Sequence, residues 1–196
     1  RQPEAEVVRA IRRAMDLGMD YIDTYPGHNE AYWGKALADV PRDAFYLQAK
    51  VGTHPDRRKD FSGETARWSV TNSLRDLGVD YLDAVLIHDP DDIEDILAPG
   101  RAFDELLKMR DEGLIKHLGV GVRDHAFHRR IIETGEAGVV LTFLDYTLLD
   151  QSAEATTLAV ARERDVGLIL ASPLGMGLLT GLEPDAETDR RRHGGR

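Results

Sequence analysis

The fold class is decided by the stretch Tyr81-Leu82-Asp83-Ala84-Val85-Leu86-Ile87-His88. Its centre is almost wholly apolar and rich in Val, Leu and Ile, which predicts a strand buried on both faces. Such strands are typical of parallel sheets that are covered by helices. The sequence on either side of this stretch shows which parallel architecture is present.

Short apolar strands alternate with amphipathic helices along the chain. The helix before residues 81–88 has a fair N-cap in Ser62 and a stop signal in Gly78, and it carries Val70 and Leu77 on one face. Other units repeat the same order. The predicted strands are residues 21–24, 45–51, 81–87, 117–122, 139–146 and 166–171, and the predicted helices are residues 4–17, 30–38, 62–77, 103–111, 124–134 and 153–164.

Two architectures fit this alternation, an open doubly wound sheet and a closed barrel. A doubly wound dinucleotide fold carries G-x-G-x-x-G at its first strand–helix turn, and the sequence contains no such motif. Reactive side chains instead recur at the predicted strand ends, as they do at the mouth of a barrel. We therefore predict an α/β fold of the (β/α)8 TIM-barrel type. The side chains at the strand ends are Asp23, Lys50, His88, Tyr146 and Ser172.

The predicted barrel is incomplete, because six strand–helix units are recognisable where a full barrel has eight and runs to about 250 residues. We expect residues 1–196 to form a single barrel domain with both ends missing.

The amino-acid composition argues against several classes of function. The 196 residues are 42% hydrophobic and 31% charged, which is typical of a globular chain, and no apolar run is long enough to span a membrane. The net charge of −10 disfavours nucleic acids and anionic membranes as partners, since the only dense basic run is residues 190–192. The absence of Cys excludes disulfides and thiol chemistry and is compatible with a cytoplasmic enzyme.

Lys50 and His88 are the residues at the strand ends whose chemistry is most informative. A lysine that ends a buried strand is costly unless it is paired, and Asp23 at the end of the preceding strand is its natural partner. The alternative is a lysine that extends to solvent. A neutral His88 in a cleft could donate to a substrate oxygen, although a lone histidine is more often structural. We expect no metal, because neither H-x-H nor H-E-x-x-H occurs.

Seven segments, taken together and in this order, resemble the aldo-keto reductase family over nearly the whole chain. The segment from residue 170 to residue 180 looks most like the sugar-dehydrogenase branch, of which L-galactose dehydrogenase is an example. The segments are MDYIDT (19–24), GKAL (34–37), AKVG (49–52), SLRDLGVDYLD (73–83), LIHDP (86–90), GLIKHLGV (113–120) and SPLGMGLLTG (172–181).

The resemblance implies a barrel that binds NADP(H) or NAD(H) across its mouth and interconverts carbonyls and alcohols by direct hydride transfer. By motif match, Asp23, Lys50 and His88 occupy three positions of the family's catalytic set of Asp, Tyr, Lys and His. A tyrosine near a lysine is expected to have its pKa lowered, because the cation favours the phenolate. His88 would polarise the carbonyl.

The tyrosine position departs from the family pattern, since the interval from Asp23 to Glu30 is two residues short. Tyr25 is the only candidate for the acid. Three interpretations are open: the loop is shortened and Tyr25 still reaches the site, loop residues are absent from the given sequence, or the acid is lost and His28 substitutes for it.

The resemblance also implies cofactor contacts. Asp23 would contact the cofactor, Thr142 would hydrogen-bond the carboxamide of the nicotinamide in place of the family's Gln, and Ser172, Leu174 and Gly175 would hold the pyrophosphate. A Gly-rich loop directly after a strand suits phosphate binding, because its backbone N–H groups can approach the anion. The sequence does not distinguish NADP from NAD.

The predicted function is therefore that of an NAD(P)-dependent oxidoreductase acting on a sugar or another small aldehyde or ketone. A non-catalytic relative that binds the dinucleotide or a protein partner is the main alternative, and an unrelated metal hydrolase with His88 as a ligand is a third. Substrate identity and oligomeric state are left open.

Overall fold

Six parallel strands form one sheet that is curled into a half-barrel. The computed structural model describes residues 3–181, so the basic run at residues 190–192 lies outside the described residues. The strands pair in sequence order, each with the next. Their bounds are Tyr21–Asp23 (β1), Tyr46–Val51 (β2), Leu82–His88 (β3), Ile115–Gly121 (β4), Val139–Phe143 (β5) and Gly167–Ala171 (β6). The predicted α/β fold is confirmed, as part of a (β/α)8 barrel.

Helices connect the strands. The longest, α3, begins where the Ser62 hydroxyl accepts a hydrogen bond from Thr65 N–H, and it ends at Gly78 with φ of 69°. The helices are Glu4–Asp16 (α1), Glu30–Leu37 (α2), Gly63–Leu77 (α3), Ile93–Leu97 (α4), Ala102–Asp111 (α5), His125–Ile132 (α6) and Ala159–Glu163 (α7), with a π-helical turn over Glu154–Leu158.

Strand β5 is shorter than predicted. It ends at Phe143 because Leu144 adopts a left-handed conformation with φ of 63°, which breaks the extended backbone. Tyr146, predicted to end this strand, lies in the loop that follows. The predicted helix at residues 153–164 is likewise divided into the π-helical turn and α7.

The two faces of the sheet pack differently, as the period of two along each strand requires. Val85 and Ile87 belong to a large apolar cluster between the sheet and the helices. Ala84 and Leu86 point the other way and form a small cluster with Val139 and other residues of β5 and β6. Lys50 is aligned with Leu86, so the lysine belongs to the face with the small cluster.

An ionic cluster closes the amino edge of the sheet. The buried Asp83 carboxylate accepts hydrogen bonds from Arg42 at 2.6 Å, from Leu47 N–H at 2.9 Å and from Lys116 at 2.9 Å. Burial opposes ionisation of Asp83, but the hydrogen bonds from Arg42 and Lys116 keep its pKa below the ordinary value. One carboxylate thereby joins β2, β3 and β4.

The Asp83→Ala variant is expected to lose about 3 kcal/mol of unfolding free energy, because it removes the anion that pairs with Arg42 and Lys116 and leaves Leu47 N–H without its acceptor. Urea denaturation measures this loss. Asp39→Ala is the matched control: Asp39 pairs with Arg12 but its side chain is 84% exposed, so a change within about 0.5 kcal/mol is expected. Equal losses in the two variants would contradict the account.

Within residues 3–181, no helix combines the length and the apolar character needed to cross a membrane.

Candidate active site

A buried lysine and a carboxylate meet at the carboxyl edge of β1 and β2. Lys50 Nζ donates to Asp23 Oδ1 and to the Thr24 carbonyl oxygen, the latter at 3.1 Å. The Lys50 side chain is only 2% exposed, whereas that of Asp23 is 40% exposed. Gln48 donates to the same Asp23 oxygen at 2.7 Å. The sequence-based expectation that Asp23 pairs with Lys50 is confirmed.

Burial governs the charge on Lys50. Burial lowers the pKa of its ammonium below the ordinary value, and the negative charges of Asp23 and Glu30 oppose that shift. Asp23 is thus the main group that favours the charged form of Lys50.

Tyr25 joins this pair from the loop after β1. Lys50 Nζ lies 4.3 Å from the centre of the Tyr25 ring. The Tyr25 hydroxyl oxygen lies 2.5 Å from Nε2 of His88, which ends β3. Despite the short loop, Tyr25 therefore reaches Lys50 and His88, as the first of the three interpretations requires. His28 lies at the edge of the group, with its ring 6.4 Å from that of Tyr25.

The expected lowering of the Tyr25 pKa is wrong for this structure. Burial of the phenol raises its pKa above the ordinary value of 10.0, and the negative charges of Asp23 and Asp89 raise it further. The ring contact with Lys50 does not overcome these effects. Tyr25 is consequently a protonated donor at neutral pH.

His88 is neutral at neutral pH. Burial lowers its pKa below the ordinary value of 6.5, and the nearby cation of Lys50 adds to this shift. Asp89 opposes it, since its carboxylate lies 3.5 Å from Nδ1 of the imidazole. Asp89 has φ of 45°, and its N–H donates to the Gly121 carbonyl at 2.8 Å, which anchors this turn.

Close packing positions the Tyr25 loop. Gly27 has φ of 70°, and a Cβ atom added there would lie 2.8 Å from Pro55 Cδ and 3.0 Å from His54 Nε2. Asn29 accepts a hydrogen bond from Tyr25 N–H at 2.9 Å. A glycine is therefore required where this loop touches the loop after β2.

We expect Gly27→Ala to lower the thermal midpoint more than Gly135→Ala does. Both glycines have positive φ, 70° and 76°, but nothing lies within 4 Å of a Cβ added at Gly135. The extra crowding at Gly27 should cost about 1 kcal/mol, or roughly 2–4 °C in a chain of this size. Calorimetry of both variants measures the difference, and equal midpoints would show that the loops separate freely.

Two clefts meet at the Tyr25–His88 pair. The first, here called the strand-end cleft, has a volume of about 340 Å³ and also contacts Asp23 and Lys50. The second, the loop cleft, has a volume of about 400 Å³ and lies against the segments that follow β1 and β2. Besides the shared residues, the strand-end cleft is lined by Gly121, Leu141, Phe143, Ala171 and Ser172, and the loop cleft by His28, Gly52, Thr53, Pro55, Arg58 and Lys59.

The structure places some of the predicted cofactor residues at the strand-end cleft and others away from it. Ser172 lines the strand-end cleft, and Leu174 and Gly175 follow it in the same loop, with Leu174 55% exposed. Thr142 is not at the cleft: it is fully buried, and its hydroxyl donates to Asp145. Because side chains alternate along β5, Phe143 lines the cleft, and Thr142 lies on the other face of the strand.

Sequence reasoning missed two residues of the site. Gln48 holds Asp23, and its position two residues before Lys50 on the same strand face could have indicated it. Asp89 follows His88 directly, but only the positive φ turns its carboxylate towards the imidazole. Within residues 3–181, no group of three or more His, Asp or Glu side chains is arranged to hold a metal ion.

The family model described as the aldo/keto reductase family matches residues 1–194. The chain belongs to this family. The structure of this aldo/keto reductase chain places the predicted catalytic residues Asp23, Lys50 and His88 at the carboxyl ends of β1, β2 and β3, and Tyr25 in the loop after β1.

Several relatives are about equally identical to the chain but are named for different activities. The chain is 30% identical to a D-threo-aldose 1-dehydrogenase of Pseudomonas sp over 91% of its length and 63% of the relative's. It is 29% identical to an NADH-specific methylglyoxal reductase of Escherichia coli (89% and 58%) and 30% identical to L-galactose dehydrogenase of Arabidopsis thaliana (90% and 58%). The chain thus spans about three fifths of these relatives, and the branch within the family is not resolved.

The solved structures agree on the fold. An aldo/keto reductase from Brucella melitensis superposes with a TM-score of 0.74 at 25% identity, covering 98% of this aldo/keto reductase and 71% of the other chain.

Proposed function

We propose that the protein is an NAD(P)-dependent oxidoreductase that interconverts a small carbonyl compound and the corresponding alcohol. The observation that carries the proposal is the contact of Tyr25 with both His88 and Lys50, whose cation is held by Asp23. This arrangement places a protonated acid, a neutral imidazole and a compensated cation around one point.

Each side chain has a distinct role in carbonyl reduction. Tyr25 donates its proton to the carbonyl oxygen, since its raised pKa keeps it protonated beforehand. Lys50, 4.3 Å from the ring centre, stabilises the phenolate that results. His88 orients the same oxygen through Nε2. Oxidation of an alcohol uses the same groups in reverse, with the tyrosine oxygen as proton acceptor.

The residues of the strand-end cleft fit a nicotinamide cofactor. Leu141, Phe143 and Ala171 give the cleft an apolar wall for a planar ring beside Tyr25 and Lys50. Ser172 and Gly175 adopt positive φ in the loop that would hold the pyrophosphate, together with Leu174. NADP(H), or alternatively NAD(H), would supply or accept the hydride when bound.

A sugar or another small aldehyde or ketone is the proposed substrate. The names of the relatives support this class, since two act on sugars and one on methylglyoxal. The contact between Tyr25 and His88 favours the catalytic interpretation over a non-catalytic dinucleotide-binding subunit.

Lys50→Met is expected to lower kcat at least about a hundredfold with NADPH or NADH and a panel of aldehydes, because the phenolate of Tyr25 loses its stabilising cation. Methionine is of similar length, so circular dichroism should show a retained fold. Lys35→Met is the control, since Lys35 is exposed and pairs with Glu4 on the helices. Unchanged turnover in Lys50→Met would refute the catalytic assignment.

The pH dependence of reduction should follow His88. Because its neutral form is the active one and its pKa is lowered, kcat/KM is expected to be constant near pH 7 and to fall only on acidification below pH 6.5. In Asp89→Asn the opposing charge is removed, so the acid limb should move to still lower pH. A pH–rate profile measures both, and an acid limb above pH 6.5 would contradict a neutral His88.

A further inference from the structure

The segment after β2 carries three consecutive cations, Arg57, Arg58 and Lys59, of which Arg58 and Lys59 line the loop cleft. Arg57 is engaged by side chains of α3. Arg57 lies 3.3 Å from a carboxylate oxygen of Glu64 and stacks over the Trp68 ring at 4.6 Å. Its position is therefore explained by the packing of α3.

The third cation is engaged as well. Lys59 Nζ donates to Asp91 Oδ1 at 3.0 Å and to the carbonyl oxygen of Asp89. Its charge is thus compensated by Asp91, and it anchors the turn that follows His88.

Arg58 differs from both neighbours. Within residues 3–181 it has no hydrogen bond and no ion pair, and its side chain is exposed at the loop cleft. The flanking anchors at Arg57 and Lys59 hold the loop, and Gly27 packs tightly against Pro55 in the same wall. The result is an uncompensated guanidinium at a cleft that Tyr25 and His88 also line.

The side chains that line the loop cleft carry charges of both signs. Asp89 is the carboxylate that lines it, and that carboxylate lies at the His88 end, 3.5 Å from Nδ1. A second negative charge is disfavoured there and favoured at Arg58. A volume of about 400 Å³ suits a small molecule that reaches from Tyr25 to Arg58.

We propose that the substrate carries an anionic group, a carboxylate or a phosphate, at the end remote from its reactive carbonyl, and that Arg58 binds this group. The inference rests on the proposed function, because it places the carbonyl at Tyr25 and His88. A guanidinium can pair with either anion through two parallel N–H donors, which suits recognition at this position.

Matched substrate pairs test the proposal on the wild-type protein and on Arg58→Gln. Succinic semialdehyde is compared with butanal, and glyceraldehyde 3-phosphate with glyceraldehyde, in the presence of NADPH or NADH. Arg58→Gln should reduce kcat/KM about tenfold for the charged member of the effective pair, mainly through KM, because the contact is remote from the reacting atoms. The neutral members should change less than about twofold.

Arg9→Gln is the control for the loss of one positive charge, since Arg9 is exposed on α1, far from the clefts in the fold. A charge-specific loss in Arg58→Gln but not in Arg9→Gln supports the proposal. A loss confined to one pair identifies the anion as carboxylate or as phosphate. Turnover with no preference for charged substrates, or equal losses for charged and neutral members, overturns the proposal and leaves the oxidoreductase function intact.

If no substrate is turned over, that result counts against the proposed function. The Arg58 subsite is then tested separately, by the binding of small anions. Titration calorimetry with succinate and with glycerol 3-phosphate compares the wild-type protein and Arg58→Gln. Weaker binding of either anion by the variant supports the Arg58 subsite. Equal binding, or no binding by the wild-type protein, overturns it.

Discussion

The structure depends on the pairing of a buried ammonium with a half-exposed carboxylate. Lys50 lies inside a parallel sheet, where an uncompensated charge would cost several kcal/mol. Asp23 reaches it only because β1 and β2 pair in parallel and end at the same edge. The Tyr25 ring then packs beside the cation, and its hydroxyl meets His88 on β3. The register of three strands thus places Asp23, Lys50 and His88, and the loop after β1 adds Tyr25.

The two edges of the sheet serve different purposes. At the amino edge, the Asp83 carboxylate accepts hydrogen bonds from Leu47 on β2, from Lys116 on β4 and from Arg42 in the turn before β2, so three donors within the protein hold it. At the carboxyl edge, the polar groups of Tyr25 and His88 are satisfied mainly by each other. Such a pair can exchange its mutual hydrogen bond for a bond to a substrate oxygen, whereas the Asp83 cluster has no spare acceptor to offer. Chemistry is therefore favoured at the carboxyl edge, where the polar side chains have the fewest fixed hydrogen-bond partners.

Much of the candidate site could be predicted from sequence because it depends on strand order alone. Asp23, Lys50 and His88 end successive strands, so any parallel sheet brings them to one edge. The prediction that Thr142 contacts the nicotinamide came from its match to the family's Gln, whereas the structure buries Thr142 with its hydroxyl on Asp145, and the neighbouring Phe143 lines the cleft. The pKa of Tyr25 was likewise misjudged, since burial and two carboxylates outweigh a single cation. These quantities depend on distances and burial, which a linear sequence does not contain.

By itself the sequence determined the alternation of strands and helices, the parallel sheet and the residues at the strand ends, because hydrophobic period and chain order are local properties. Only the tertiary structure decided whether Tyr25 reaches His88, which face Thr142 occupies, and that Arg58 alone among three neighbouring cations has no partner in residues 3–181. Each of these outcomes depends on how separate strands and loops pack against one another. Because such contacts join residues that are far apart in the chain, no local sequence pattern predicts them.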